Sequence, residues 1–255
     1  MFNWGAFTLY LYILMRISGF VLFSPIFARR GISATFQAGF IMVLTGITYS
    51  VYGGTAEVPA TLLEFALHLL LELAMGIAVS FVMRFFFYIA DQAGEIIDSQ
   101  MGLSMARMYD ASSDSQTTVT ANLLNTLMLL LFFAENGHLT LLHILLDSGS
   151  AVPFGSAAPG AALAEKMVVL FADCVVLAVK LAFPILGAEL LGQIGMGVLM
   201  KAIPQINIFS INIELKMIIG LVMLLVLISP MSTLLLEYEQ AMLTEIRSLF
   251  AAMGG

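Results

Sequence analysis

The 255-residue chain has one cysteine, three histidines, one tryptophan and only ten Lys plus Arg. A lone cysteine, Cys174, excludes an intrachain disulfide and any zinc site built on cysteines. Ten basic residues against seventeen carboxylates leave a net charge of −7. That balance repels a phosphate backbone, so no nucleic-acid partner is expected. His138 and His143 are five positions apart, so on a helix their side chains diverge by about 140°. With no third ligand near them, no metal is expected. There is no Gly-rich phosphate loop, no H-E-x-x-H and no G-x-S-x-G. Neither a cofactor nor an enzymatic activity is therefore expected. No basic stretch precedes the first apolar run, which reads as a retained segment rather than a cleaved signal peptide.

What the chain does have is apolar surface. Hydrophobic residues make up 60% and there are 21 glycines besides, against about 45–50% for both together in an ordinary soluble domain. Charged residues are 11%, and the mean hydropathy is +1.01. A globule of this size cannot bury such a composition alone; a bilayer or a tight multi-subunit core must take the surplus.

Spanning a bilayer takes about 20 mostly apolar residues in a helix. Segments of that kind are predicted over 5–27, 31–56, 61–90, 119–134 and 163–186. A further one begins at 206 or 212 and ends at 236, and an amphipathic helix over 237–252 closes the chain. No strand alternation is present, so the fold class is all-α, a multi-helix membrane-associated protein of helical hairpins. Pro184, Pro204 and the four glycines at 187, 192, 195 and 197 predict a kink or a broken hairpin. The Gly/Ala/Ser/Pro stretch at 148–160 reads as a loop. Small residues four apart (Thr35/Gly39, Gly46/Ser50, Ala74/Ala78, Gly76/Ser80 and Ala188/Gly192) allow close helix packing. Arg29 and Arg30 form the only dibasic cluster and predict a cytoplasmic loop there, with the N-terminus outside.

The most unusual passage is 91–110, which continues an apolar helix without a proline. Arg84, Tyr88, Asp91, Glu95 and Asp98 recur at steps of 4, 3, 4 and 3 and so share one helical face. Charges on an apolar bundle face a partner or an aqueous path, or else a solvated flank where the helix leaves the apolar layer. Met101, Met105 and Met108 follow at i, i+4 and i+7; unbranched methionines conform to changing partners, and equally fill ordinary cores. The small, polar stretch at 110–118 lies between apolar segments and cannot face lipid. Two functional classes stay open on the residues alone. One is a shared conduit built with partner proteins. The other is a proton-coupled secondary transporter of small solutes, motivated by Glu72, Arg84, Lys180 and the broken helices. A purely structural membrane scaffold is a third.

One family resemblance bears on this choice. The block Gly94-Glu95…Asp98-Ser99-Gln100-Met101-Gly102-Leu103-Ser104-Met105-Ala106, then Asp110, resembles that of the flagellar export-gate R subunit, the FliR family, and its injectisome T counterparts. The stretch 129–138, with Asn136-Gly137-His138, is similar to that family's next block. The stretch 201–209, with Pro204, Gln205 and Asn207, is similar to its block before the last apolar hairpin. The three occur in order over nearly the whole chain, and the Gln-Met-Gly-Leu-Ser run leans flagellar.

The resemblance implies a non-enzymatic subunit of a helical export gate in the bacterial inner membrane, at the flagellar basal body. Its partners would be P-type and Q-type gate subunits, the B-type switch subunit, the A-type export subunit, membrane lipid and unfolded export substrates. It also implies a P-like part over about 1–160 and a Q-like helical hairpin over about 161–255. A pore plug would lie at 106–116. Carried onto this chain, the pore and plug residues are Met101, Met105, Ala106, Arg107, Met108, Tyr109, Asp110, Ser112 and Ser113. Arg84, Asp91, Glu95, Asp98 and Gln100 form the polar stripe or subunit contact.

Overall fold

The computed structural model describes residues 3–29, 31–103, 118–158, 160–202 and 208–253. Among them are seven helices and no strand: α1 (Trp4–Phe23), α2 (Ala34–Tyr52), α3 (Leu62–Gln100), α4 (Val119–Ala134), α5 (Gly137–Ala151), α6 (Ala161–Ala202) and α7 (Ile208–Met253). The fold is all-α. Five of these helices are long and apolar enough to cross a membrane, and the chain is a membrane protein.

Local chemistry fixes the helix ends. The first N–H groups of a helix lack intrahelical acceptors, so a side-chain oxygen at the cap supplies one. Asn3 accepts from the Ala6 N–H at 3.2 Å and Ser33 from that of Phe36 at 3.3 Å. At α3, Thr61 accepts from the Glu64 N–H at 3.2 Å while Glu64 reaches back to the Ala60 N–H at 3.0 Å. That resembles a capping box, with Glu64 reaching one residue beyond the Thr61 cap. At the far end of α2, Gly53 takes φ 62°, a left-handed value that stops the helix. Asn136, at φ 57°, separates α4 from α5.

The chain divides into two compact units. One comprises Met1–Phe86, Phe133–Phe171 and Glu239–Gly255; the other comprises Phe87–Phe132 and Ala172–Tyr238. In the first, α1 and α3 pack backbone to backbone. A Cβ on Gly76 would lie 2.0 Å from the Arg16 carbonyl oxygen, and one on Gly19 would lie 2.4 Å from that of Leu73. Ser80 donates to the Phe20 carbonyl at 2.7 Å. The Gly76/Ser80 pair thus marks a real helix contact. In the second unit α3 and α4 pack just as closely: a Cβ on Gly94 would lie 2.2 Å from the Ala121 Cα. A Cβ added at Gly39 or Gly46 would meet nothing within 4 Å, so neither glycine seats a neighbouring helix among the described residues.

Several boundaries differ from the sequence expectation. α3 runs to Gln100, ten residues past the apolar segment ending at 90, as the helical spacing of Asp91, Glu95 and Asp98 predicts, because its polar residues find partners on α4. α6 is one unbroken helix from 161 to 202 through Pro184 and the four glycines, where the sequence predicts a kink or a broken hairpin. Its neighbours Leu181, Ala182 and Ile185 are at most 1% exposed, and apolar packing of this kind tolerates a missing backbone bond. α7 runs on without the boundary expected at 236/237, joining two expected helices into one. The helix at Gly137–Ala151 occupies a stretch given no helix, and takes up the first part of the expected 148–160 loop.

Candidate functional site

Arg16 is the one charge in α1, and it is 1% exposed. In a low-dielectric surrounding a lone guanidinium is prohibitive, so every donor must be used. Nε and Nη2 donate to the two oxygens of Glu72 at 2.6 and 3.1 Å, the forked pairing that matches guanidinium to carboxylate. Nη1 donates to Ser148 Oγ at 3.2 Å and to the Val152 carbonyl at 3.1 Å. Glu72, also fully buried, accepts a further bond from the Gly155 N–H at 2.7 Å. The guanidinium lies 4.2 Å over the Phe154 ring. One ion pair thus ties α1, α3, α5 and the turn at 152–155 together. The sequence singles out Glu72 as an intramembrane charge. Only the fold shows that Arg16, fifty-six positions away, is its partner.

The polar stripe of α3 divides by role. Arg84 is exposed and donates to the Phe23 carbonyl at 3.1 Å. Asp98 is 2% exposed and accepts from both the N–H and the hydroxyl of Thr120, the former at 3.1 Å. Thr118 accepts from the Ala121 N–H at 3.2 Å. The start of α4 is therefore capped twice, once by its own threonine and once by a carboxylate from α3, where the helix dipole favours negative charge. Asp91, seven positions before Asp98, accepts from the Asn125 side chain. Glu95 is exposed beside Gln92, and Gln100 is half-buried. Asp91 and Asp98 are thus brought together on α4, while Glu95 points away.

Met101, at the end of α3, is fully buried. Its side chain lies against Gly220 of α7, where a Cβ would come within 2.4 Å of its Cγ. Next to it on α7, Ile219 fills the space beside Gly192 of α6. Glu189 of α6 is fully buried. Nothing in the sequence distinguishes Glu189 from a surface carboxylate. Met105, Ala106, Arg107, Met108, Tyr109, Asp110, Ser112 and Ser113 lie outside the described residues, as do Pro204, Gln205 and Asn207. Among the described residues no group of three His, Cys, Asp or Glu side chains is placed to hold a metal ion.

Comparison with known proteins decides what this arrangement belongs to. The family described as bacterial export proteins, family 1, matches residues 7–242. The chain belongs to this family. As a bacterial export protein it is 30% identical over 249 residues to the flagellar biosynthetic protein FliR of Escherichia coli (strain K12), covering 95% of this chain and 91% of that one. It is 26% identical to the FliR of Bacillus subtilis (strain 168), over 97% and 96% of the two chains. It is also 30% identical to the Yop proteins translocation protein T of Yersinia pestis, over 74% and 76%. These relatives make it a component of a type III export apparatus, membrane-embedded and structural in character. The reading as a small-solute transporter finds no support: Glu72 is locked to Arg16, Arg84 sits on a carbonyl and Lys180 is exposed.

Proposed function

We propose that the protein is a structural subunit of the flagellar type III export gate in the bacterial inner membrane. There it helps form and seal the channel that passes unfolded flagellar proteins. The observation that carries this reading is the family match over 7–242, with flagellar FliR relatives covering nearly the whole chain. Its partners are the P-type and Q-type gate subunits, with the B-type switch subunit and the A-type export subunit of the same machine. Residues 1–160 act as the P-like part and 161–255 as the Q-like hairpin. Segment 106–116 is the plug, with Met105, Met108 and Tyr109 as its bulky sealing side chains. Energy comes from elsewhere in the machine.

Two observations support this reading. The apolar windows of α2 and α7 are each only 22% buried within the chain, which leaves broad helical faces for lipid and neighbouring subunits. Met101, the first of the pore and plug residues, is buried against Gly220 of α7. The experiment is deletion of 106–116 in the assembled complex. Assembly is retained and membrane conductance to small ions rises. Unchanged conductance in an assembled deletion complex removes the plug from this account.

A further inference from the structure

The first unit contains a cavity of about 420 Å³ whose walls include Tyr12, the 56–60 turn, Glu64, His68 and Phe154–Gly155. Its floor is rigid. Gly155 is held by Glu72 and Phe154 by Arg16, and Gly155, at φ 90°, leaves no room for a Cβ against the Tyr12 ring. Two carboxylates, Glu57 and Glu64, stand at the walls, and no Lys or Arg lines the cavity. One Glu64 oxygen is engaged with the Ala60 N–H; the cap leaves its second oxygen uncommitted. Tyr12 is only 2% exposed, lines the cavity, and its hydroxyl meets no hydrogen-bond partner among the described residues. Nδ1 of His68, shut off from solvent, has none either. A buried phenol and two exposed carboxylates on one cavity wall complement a donor that carries positive charge.

Beside this cavity lies a second, of about 300 Å³, which shares Val58, Pro59 and Ala60 with it and is otherwise walled by Trp4, Phe7 and Leu62 among others. Trp4 is 63% and Leu62 84% exposed. An acidic hole next to an exposed aromatic and aliphatic shelf is the surface that complements a protein segment bearing a cation flanked by apolar residues. A phospholipid ammonium fits less well. It carries a phosphate two carbons away, and neither cavity offers a Lys or Arg to receive that phosphate. A bare metal ion fits less well too, since no three ligands converge.

We propose that the Tyr12–Glu57–Glu64 cavity receives a Lys or Arg side chain of a neighbouring protein, with the Trp4–Leu62 shelf taking the apolar residues beside it. The ammonium or guanidinium donates to the free Glu64 oxygen, to Glu57 and to the Tyr12 hydroxyl, and its alkyl stem lies along Val58 and Pro59. The site does not depend on whether 106–116 occludes a pore.

The test uses the full chain in growing cells, with a photo-crosslinking residue at Val58. The expected product is a crosslink to one protein segment that contains a Lys or Arg. Glu57→Lys and Glu64→Lys each lower its yield by about tenfold or more, as like charges at a contact do. Tyr12→Phe keeps the ring and removes only the hydroxyl, and lowers the yield less. Changing the crosslinked basic residue to Glu restores the crosslink to the Glu64→Lys chain. Should Glu64→Lys fail to fold, Glu57→Lys on the exposed rim carries the charge test instead. Adducts with lipid alone, a captured segment without a basic residue, or yields indifferent to all these changes would each overturn the proposal.

Discussion

Met101 occupies the volume that any side chain at position 220 would need: a Cβ on Gly220 falls 2.4 Å from Met101 Cγ and 2.7 Å from Sδ. A glycine on one helix therefore seats the last buried residue of another. Even Gly220→Ala displaces the buried Met101 side chain from Cγ outward, so it is expected to destabilise, though less than a larger residue. Gly220→Leu overfills the seat and is expected to cost about 1–3 kcal/mol. Met101→Ala leaves a hole and costs about 2–5 kcal/mol. Because the two residues share one volume, the double variant Met101→Ala/Gly220→Leu recovers most of the loss. Thermal unfolding of the four proteins in detergent measures it; simple additivity would show that the two side chains do not compete for space.

The Arg16–Glu72 pair makes a different prediction. Removing one partner strands a buried charge, so Arg16→Met is expected to cost about 3–5 kcal/mol. Replacing both, as Arg16→Met/Glu72→Leu, removes the stranded charge and recovers part of that. Recovery is incomplete because the Gly155 N–H and Val152 carbonyl lose their partners. Denaturation of single and double variants decides it, and a double variant no better than Arg16→Met would contradict the pairing.

Asp98 is expected to matter as a cap rather than as an exposed charge. Asp98→Ala orphans the buried Thr120 N–H and costs about 1–3 kcal/mol. Glu95→Ala, at an exposed position three residues earlier, stays within about 0.5 kcal/mol. Hydrogen exchange at the first turn of α4 separates them: protection falls in Asp98→Ala and holds in Glu95→Ala.

Glycines give a paired expectation. Gly94→Ala drives a methyl into the Ala121 backbone, which cannot move aside, and is strongly destabilising. Gly39→Ala adds a methyl in open space and gains helix propensity, up to about 1 kcal/mol. Melting temperatures of the two variants should move in opposite directions.

Much of this was legible in advance, and the rest was illegible for definable reasons. Length and hydropathy locate the helices, since an apolar run of twenty residues has few alternatives. The helix spacing of Asp91 and Asp98 places them on one side, but only tertiary packing says that Asn125 and Thr120 receive them. Pro184 and the nearby glycines predict a kink or a broken hairpin, whereas packed apolar neighbours carry α6 past Pro184 unbroken. Gly137–Ala151 was missed because Asp147 and two histidines dilute its apolar periodicity. The Arg16–Glu72 lock joins residues far apart in sequence, a relationship that no local spacing encodes. Glu189 looks like any carboxylate until burial is known.

The most direct measurement is purification of the full chain from its native membrane in mild detergent, followed by mass determination. If the chain finishes its burial against sister proteins around a common channel, it emerges within one large complex containing P-type and Q-type subunits. Emergence as a stable, folded single particle that carries a small solute on its own would contradict the account.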